Sequence, residues 1–68
     1  MDLRDLRLMA CLTQLQLANE LFVGQSAVAN WEAGLSKPQK KYRPLMAKAL
    51  HCTVETLEQA LEETVSAR

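Results

Sequence analysis

Between Thr13 and Gly34 the chain carries two helical patterns with almost no room between them, and that spacing limits the fold more than any other feature. Thr13 stands as an N-cap with Gln16 three residues on, the pairing of a capping box. Leu17, Ala18 and Leu21 mark the buried face of a short helix, which ends near Phe22 because Gly24 interrupts the pattern. A second pattern begins at Gly24 or Gln25. In it Ala27, Val28 and Trp31 form an apolar wedge, and Gly34 is placed to end the helix in a left-handed conformation. Two short helices joined by a turn of about three residues must brace one another. Small Ala18 permits the close approach, and Val28 is placed to pack against it.

The flanking segments read as helix as well. Leu3, Leu6 and Ala10 or Cys11, with Leu8 and Met9 beside them, give helical spacing from about residue 2 to 11. From Leu35 to about Lys41 the chain reads as a loop whose direction Pro38 sets. A fourth helix covers roughly 42 to 50, with Pro44 in its first turn and Leu45, Met46, Ala49 and Leu50 facing inward. Thr53 caps a final helix that buries Val54, Leu57 and Leu61 and leaves Glu55, Glu58, Glu62 and Glu63 mostly in solvent. The expectation is one all-α domain of five short helices spanning residues 1–68, with its core at about 3–62 and a frayed C-terminal tail.

At 68 residues, 49% of them hydrophobic, the chain can build one small core. With one Phe, one Tyr and one Trp that core must be aliphatic. Trp31 belongs to it by helical spacing, and Tyr42 can cover it with its ring while the hydroxyl reaches outward. Cys11 and Cys52 have neither the number nor the spacing of a disulfide scaffold, and with His51 alone they cannot complete a four-ligand zinc site. They read as reduced thiols used as small hydrophobes. One histidine, and no aspartate after Asp5, leave no catalytic set to assemble, so neither enzyme activity, a metal nor a cofactor is expected. No apolar run approaches the roughly 20 residues of a membrane helix, and no signal-peptide pattern opens the chain, which points to the cytoplasm.

The formal charge is zero, but it is unevenly spread. Residues 35–51 hold Lys37, Lys40, Lys41, Arg43 and Lys48 without an acid, between two acidic stretches. A positive face can therefore exist on a neutral chain. The outer face of the second braced helix offers Gln25, Ser26, Ala29 and Asn30. Amides can pair with adenine N6 and N7, Ser can donate or accept, and an Ala methyl can touch the thymine methyl.

Taken together, these residues resemble the lambda-repressor-like (Cro/C1, Xre type) family of helix-turn-helix domains. The likeness runs over residues 3–62 and rests on Leu12-Thr13-Gln14, Leu17-Ala18, Val28, Trp31-Glu32-Ala33-Gly34, Pro38, Leu45, Ala49-Leu50, Thr53 and Leu57. It implies a five-helix fold with the helix-turn-helix at helices 2 and 3, and operator binding as a two-fold dimer. By position it implies that Gln25, Ser26 and Asn30 read bases and that Gln14 touches a phosphate and buttresses the recognition helix. Lys37, Lys40, Lys41 and Arg43 would clamp the DNA backbone, and Arg7 with Glu32 would form a partly buried salt bridge. The chain departs from the family at Phe22, where glycine is usual, and at Gly24, where a Ser or Thr cap is usual.

The function expected is sequence-specific double-stranded DNA binding by a homodimeric transcriptional repressor on a palindromic operator. Leu57, Leu61 and Val65 are the candidate dimer contacts, with Leu57 equally suited to the core. Such a protein would be bacterial or phage-encoded and nucleoid-associated when bound. Two other readings share these features: a DNA-binding antitoxin or phage or plasmid accessory protein with a protein partner, and an interaction module that has lost DNA binding.

Overall fold

In the computed structural model, which describes residues 1–66, five α-helices follow one another: α1 (Leu3–Met9), α2 (Gln14–Leu21), α3 (Gln25–Glu32), α4 (Arg43–Ala49) and α5 (Val54–Ser66). A 3-10 turn, Lys40–Tyr42, leads into α4. Side chains within a few residues start three of the helices. Asp2 and Asp5 form a capping box on α1, Thr13 and Gln16 form one on α2, and the Thr53 hydroxyl accepts the Thr56 N–H ahead of α5. Helix α3 has Gly24 as its N-cap and no side-chain cap at all.

The first four helices stop in one way. Each ends in a paired Schellman motif: Leu12 N–H donates to Arg7 O and Cys11 N–H to Leu8 O, and the same pairing recurs at Val23/Phe22, Leu35/Gly34 and Cys52/His51. The motif demands a left-handed residue, here Cys11 (φ 60°), Phe22 (φ 58°), Gly34 (φ 76°) and His51 (φ 57°). Three of the four carry a Cβ, which costs about 1–2 kcal/mol in that conformation. At Phe22, 90% exposed, burial of the ring offsets almost none of this cost. Phe22→Gly should therefore raise stability by roughly 0.5–1 kcal/mol, the strain relieved less the extra entropy of unfolded glycine. A denaturant midpoint that stays put or falls would show that the ring has contacts of its own to lose.

The core gathers Leu3 and Leu6 of α1, Leu17 and Leu21 of α2, Val28 and Trp31 of α3, Met46 and Leu50 of α4, and Leu57 and Leu61 of α5. Pro38, read as a loop director, is also fully buried. Several inward assignments shift by one helical position. Leu8, Met9, Cys11, Leu45 and Val54 are exposed, whereas Arg7, Ala47, Ala60 and Thr64 are buried. The spacing explains it. Positions 3, 6 and 7 share one face of α1, positions 46, 47 and 50 one face of α4, and positions 57, 60, 61 and 64 one face of α5.

That last face corrects one expectation. Leu57 and Leu61 are fully committed to the monomer's own core, so their side chains are not available to a second copy; Val65 is 41% exposed. Helix α5 runs past residue 62. Thr64 accepts the Leu3 N–H at 2.9 Å and donates to Ala60 O at 2.8 Å, tying α5 to the start of α1, and the helix continues to Ser66. Ala67 and Arg68, the end of the expected tail, lie outside the described residues.

Candidate nucleic-acid interface

Helices α2 and α3 pack on one another, and Ala18 of α2 and Val28 of α3 are both fully buried. With Trp31 also inward, the opposite side of α3 is set by geometry. Gln25, Ser26 and Asn30 are exposed along it, and Ala29 is half-buried between them. Because the helix starts at Gln25 and not earlier, Gln25 and Ser26 occupy its first two positions and Asn30 lies about one turn further on. An edge of this kind, held on a rigid helix, suits the floor of a DNA major groove.

What holds α3 at this angle is polar as well as apolar. Arg7 is buried and spends every arm of its guanidinium. Nε and Nη2 donate to the two carboxylate oxygens of Glu32, and Nη1 donates to Leu12 O at 2.8 Å. The two side chains are only 9% and 6% exposed. Glu32 Oε1 also accepts from Gln14 Nε2 at 3.2 Å, and Gln14 Oε1 accepts from Gln25 Nε2 at 3.5 Å. A continuous set of hydrogen bonds thus runs from α1 through the end of α3 and the start of α2 to the start of α3. The resemblance pointed to Arg7 with Glu32; the further link from Glu32 to Gln14 was not read from the sequence, since it joins residues 18 positions apart.

The basic loop is less free than its composition implied. Lys37 Nζ pairs with Glu62 at 3.0 Å, and Arg43 Nη1 with Glu58 at 3.3 Å while its Nε donates to Pro38 O. Glu58 and Glu62 lie one turn apart on α5, a spacing visible in the sequence whose partners were not. Lys40 and Lys41 are exposed and make no ion pair among the described residues. Lys41 Nζ lies 5.2 Å from the centre of the Tyr42 ring, which in turn tilts against Trp31 with the ring centres 6.4 Å apart. Tyr42 therefore links the basic loop to the core beneath α3.

Among the described residues no cluster of His, Cys, Asp or Glu is placed to hold a metal ion. Burial pushes the Cys52 thiol up.

The model of the helix-turn-helix family HTH_3 matches residues 3–57, from the start of α1 into α5. Comparisons with curated proteins and with solved structures returned no match.

Proposed function

The chain belongs to the helix-turn-helix family HTH_3, of Xre/Cro type, whose domains bind DNA in regulatory roles, and from that premise we propose that it is a sequence-specific repressor that reads a palindromic operator as a homodimer. The observation that carries the reading is α3 itself. Three exposed polar side chains lie along one side of a helix whose other side is locked into the core. Gln25, Ser26 and Asn30 meet base edges, and Ala29 lies against a thymine methyl. Lys40 and Lys41 supply the salt-dependent attraction to phosphates, with Gln14 adding a neutral contact. Lys37 and Arg43 join them by exchanging a glutamate for a phosphate. The two-fold contact involves Val65, since Leu57 and Leu61 are buried. Repression follows from occupancy of a promoter, in the cytoplasm of a bacterium or phage-infected cell. Phe22, exposed beside the turn, favours a second reading in which a protein partner covers it, as in an antitoxin or accessory protein.

Selection of bound duplexes from a random library at a stated salt concentration tests the proposal directly. Recovery of a palindromic site is expected; no enrichment at any salt defeats sequence-specific binding. Lys41→Ala should weaken all duplexes alike, whereas Gln25→Ala should lose about 1–3 kcal/mol of discrimination at a single base pair. Equal loss on every sequence would remove Gln25 from the base-reading set.

A further inference from the structure

We infer that Glu58 and Glu62 of α5 are built-in competitors of the DNA backbone, which occupy Arg43 and Lys37 in the free chain and so weaken its binding to every duplex. The inference rests on the phosphate contacts proposed above and goes beyond them, since it gives the acids of α5 a part in setting affinity.

The cations around the basic loop divide in two. Lys40 and Lys41 are exposed and make no ion pair among the described residues. Lys37 and Arg43 are occupied, at 3.0 and 3.3 Å, by carboxylates 25 and 15 positions further along the chain. Because those two acids stand one turn apart, a single edge of α5 serves both cations. A carboxylate and a phosphate ask the same of a lysine or an arginine, an N–H donor carrying positive charge. Both cannot be served at full strength. A phosphate that approaches Lys37 or Arg43 meets an anion already in place, so either the acid lets go or two negative groups are held side by side.

The size of the effect follows from exposure. Lys37, Glu58 and Glu62 are exposed, and half-buried Arg43 is held a second time through its Nε to Pro38 O. Pairs this open to water shift an equilibrium by up to about fivefold. That is little for the fold, yet it acts directly against binding, because each pair is broken or crowded when its cation reaches a phosphate. Glu58 and Glu62 therefore leave Lys40 and Lys41 as the ready contacts and make the other two conditional.

The test uses the intact chain and a duplex of arbitrary sequence at one low, stated salt concentration, because salt screens exposed pairs. Glu58→Gln and Glu62→Gln keep the shape of each side chain and remove its charge. Glu55→Gln is the control. It takes the same charge from the same edge of α5, three and seven positions earlier, where Glu55 makes no ion pair among the described residues. Circular dichroism verifies that each variant is folded. Glu58→Gln and Glu62→Gln should each tighten binding by about two- to fivefold beyond whatever Glu55→Gln produces. The cations then decide whether this is competition. With Lys37→Ala already in place, Glu62→Gln should tighten binding no more than Glu55→Gln does, and Glu58→Gln should behave likewise with Arg43→Ala. Tightening that survives loss of the cation in either pair, or equal tightening by all three glutamine variants, overturns the inference, since the acids would then act as general negative charge. No selected site enters the measurement, so it stands or falls apart from the base-reading proposal. A wild-type chain that binds no duplex at any salt concentration overturns both.

Discussion

Glu32→Ala is expected to leave the domain largely unfolded at room temperature. Arg7 and Glu32 are both nearly inaccessible, and among the described residues each is the other's only charged partner within hydrogen-bond distance. Deleting the carboxylate leaves a guanidinium buried with Leu12 O as its one remaining hydrogen-bond partner among the described residues. Removing one member of such a pair costs about 3–5 kcal/mol, because the other charge stays desolvated without compensation. A chain of 68 residues has roughly that much stability in total. Thermal and urea unfolding followed by circular dichroism should show the transition lost or moved far toward mild conditions. The pair itself is not a large net stabiliser, and that distinction can be measured. Arg7→Met combined with Glu32→Leu fills the same space with apolar groups and should recover most of the stability lost by Glu32→Ala. A single variant within about 1 kcal/mol of wild type would mean that water reaches Arg7 and replaces the carboxylate.

Leu57→Ala should be nearly as damaging, at about 2–5 kcal/mol, since it removes most of a fully buried side chain and leaves a cavity that closes only in part. Leu57 sits with Leu61 on the face of α5 that packs against the other helices. The loss should be the same at low and high protein concentration. A residue at a two-fold contact behaves otherwise, because its contribution to stability grows with the concentration of the partner. Val65→Ala, at a site 41% exposed, should change monomer stability by less than about 1 kcal/mol. If the cost of Leu57→Ala varied with concentration, Leu57 would have to be returned to the dimer contact.

Most of the helices could be read directly, and so could most of the outward face of α3. The capping box of Thr13 and Gln16, the stop at Gly34 and the wedge of Val28 and Trp31 are all present in the structure. The choice between Gly24 and Gln25 as the start of α3 resolves at Gln25. The readings that moved were faces of helices too short to define them. In α1, seven residues long, Leu8 and Met9 look as apolar as Leu3 and Leu6, and only packing reveals that the inward position between them belongs to Arg7. At α4 the same ambiguity let Leu45 stand for Ala47. Phe22 carries no local hint of its left-handed backbone, because a Schellman stop is read from glycine and this one has none.

By itself, the sequence determined where helices begin and, the end of α5 aside, where they stop, and that Gln25, Ser26 and Asn30 share one exposed side. Caps and periodic faces depend on neighbours three or four residues away, and these are written side by side in the chain. Apart from Arg7 with Glu32, which the resemblance implied, tertiary structure alone decided which charges are spent inside the molecule. Lys37 meets Glu62 and Arg43 meets Glu58 across the packing of the basic loop on α5. Leu57 and Leu61 turned inward for the same reason, and Gln14 came to stand between Glu32 and Gln25. Such partners lie far apart along the chain, and their meeting depends on how whole helices cross, which no local pattern encodes.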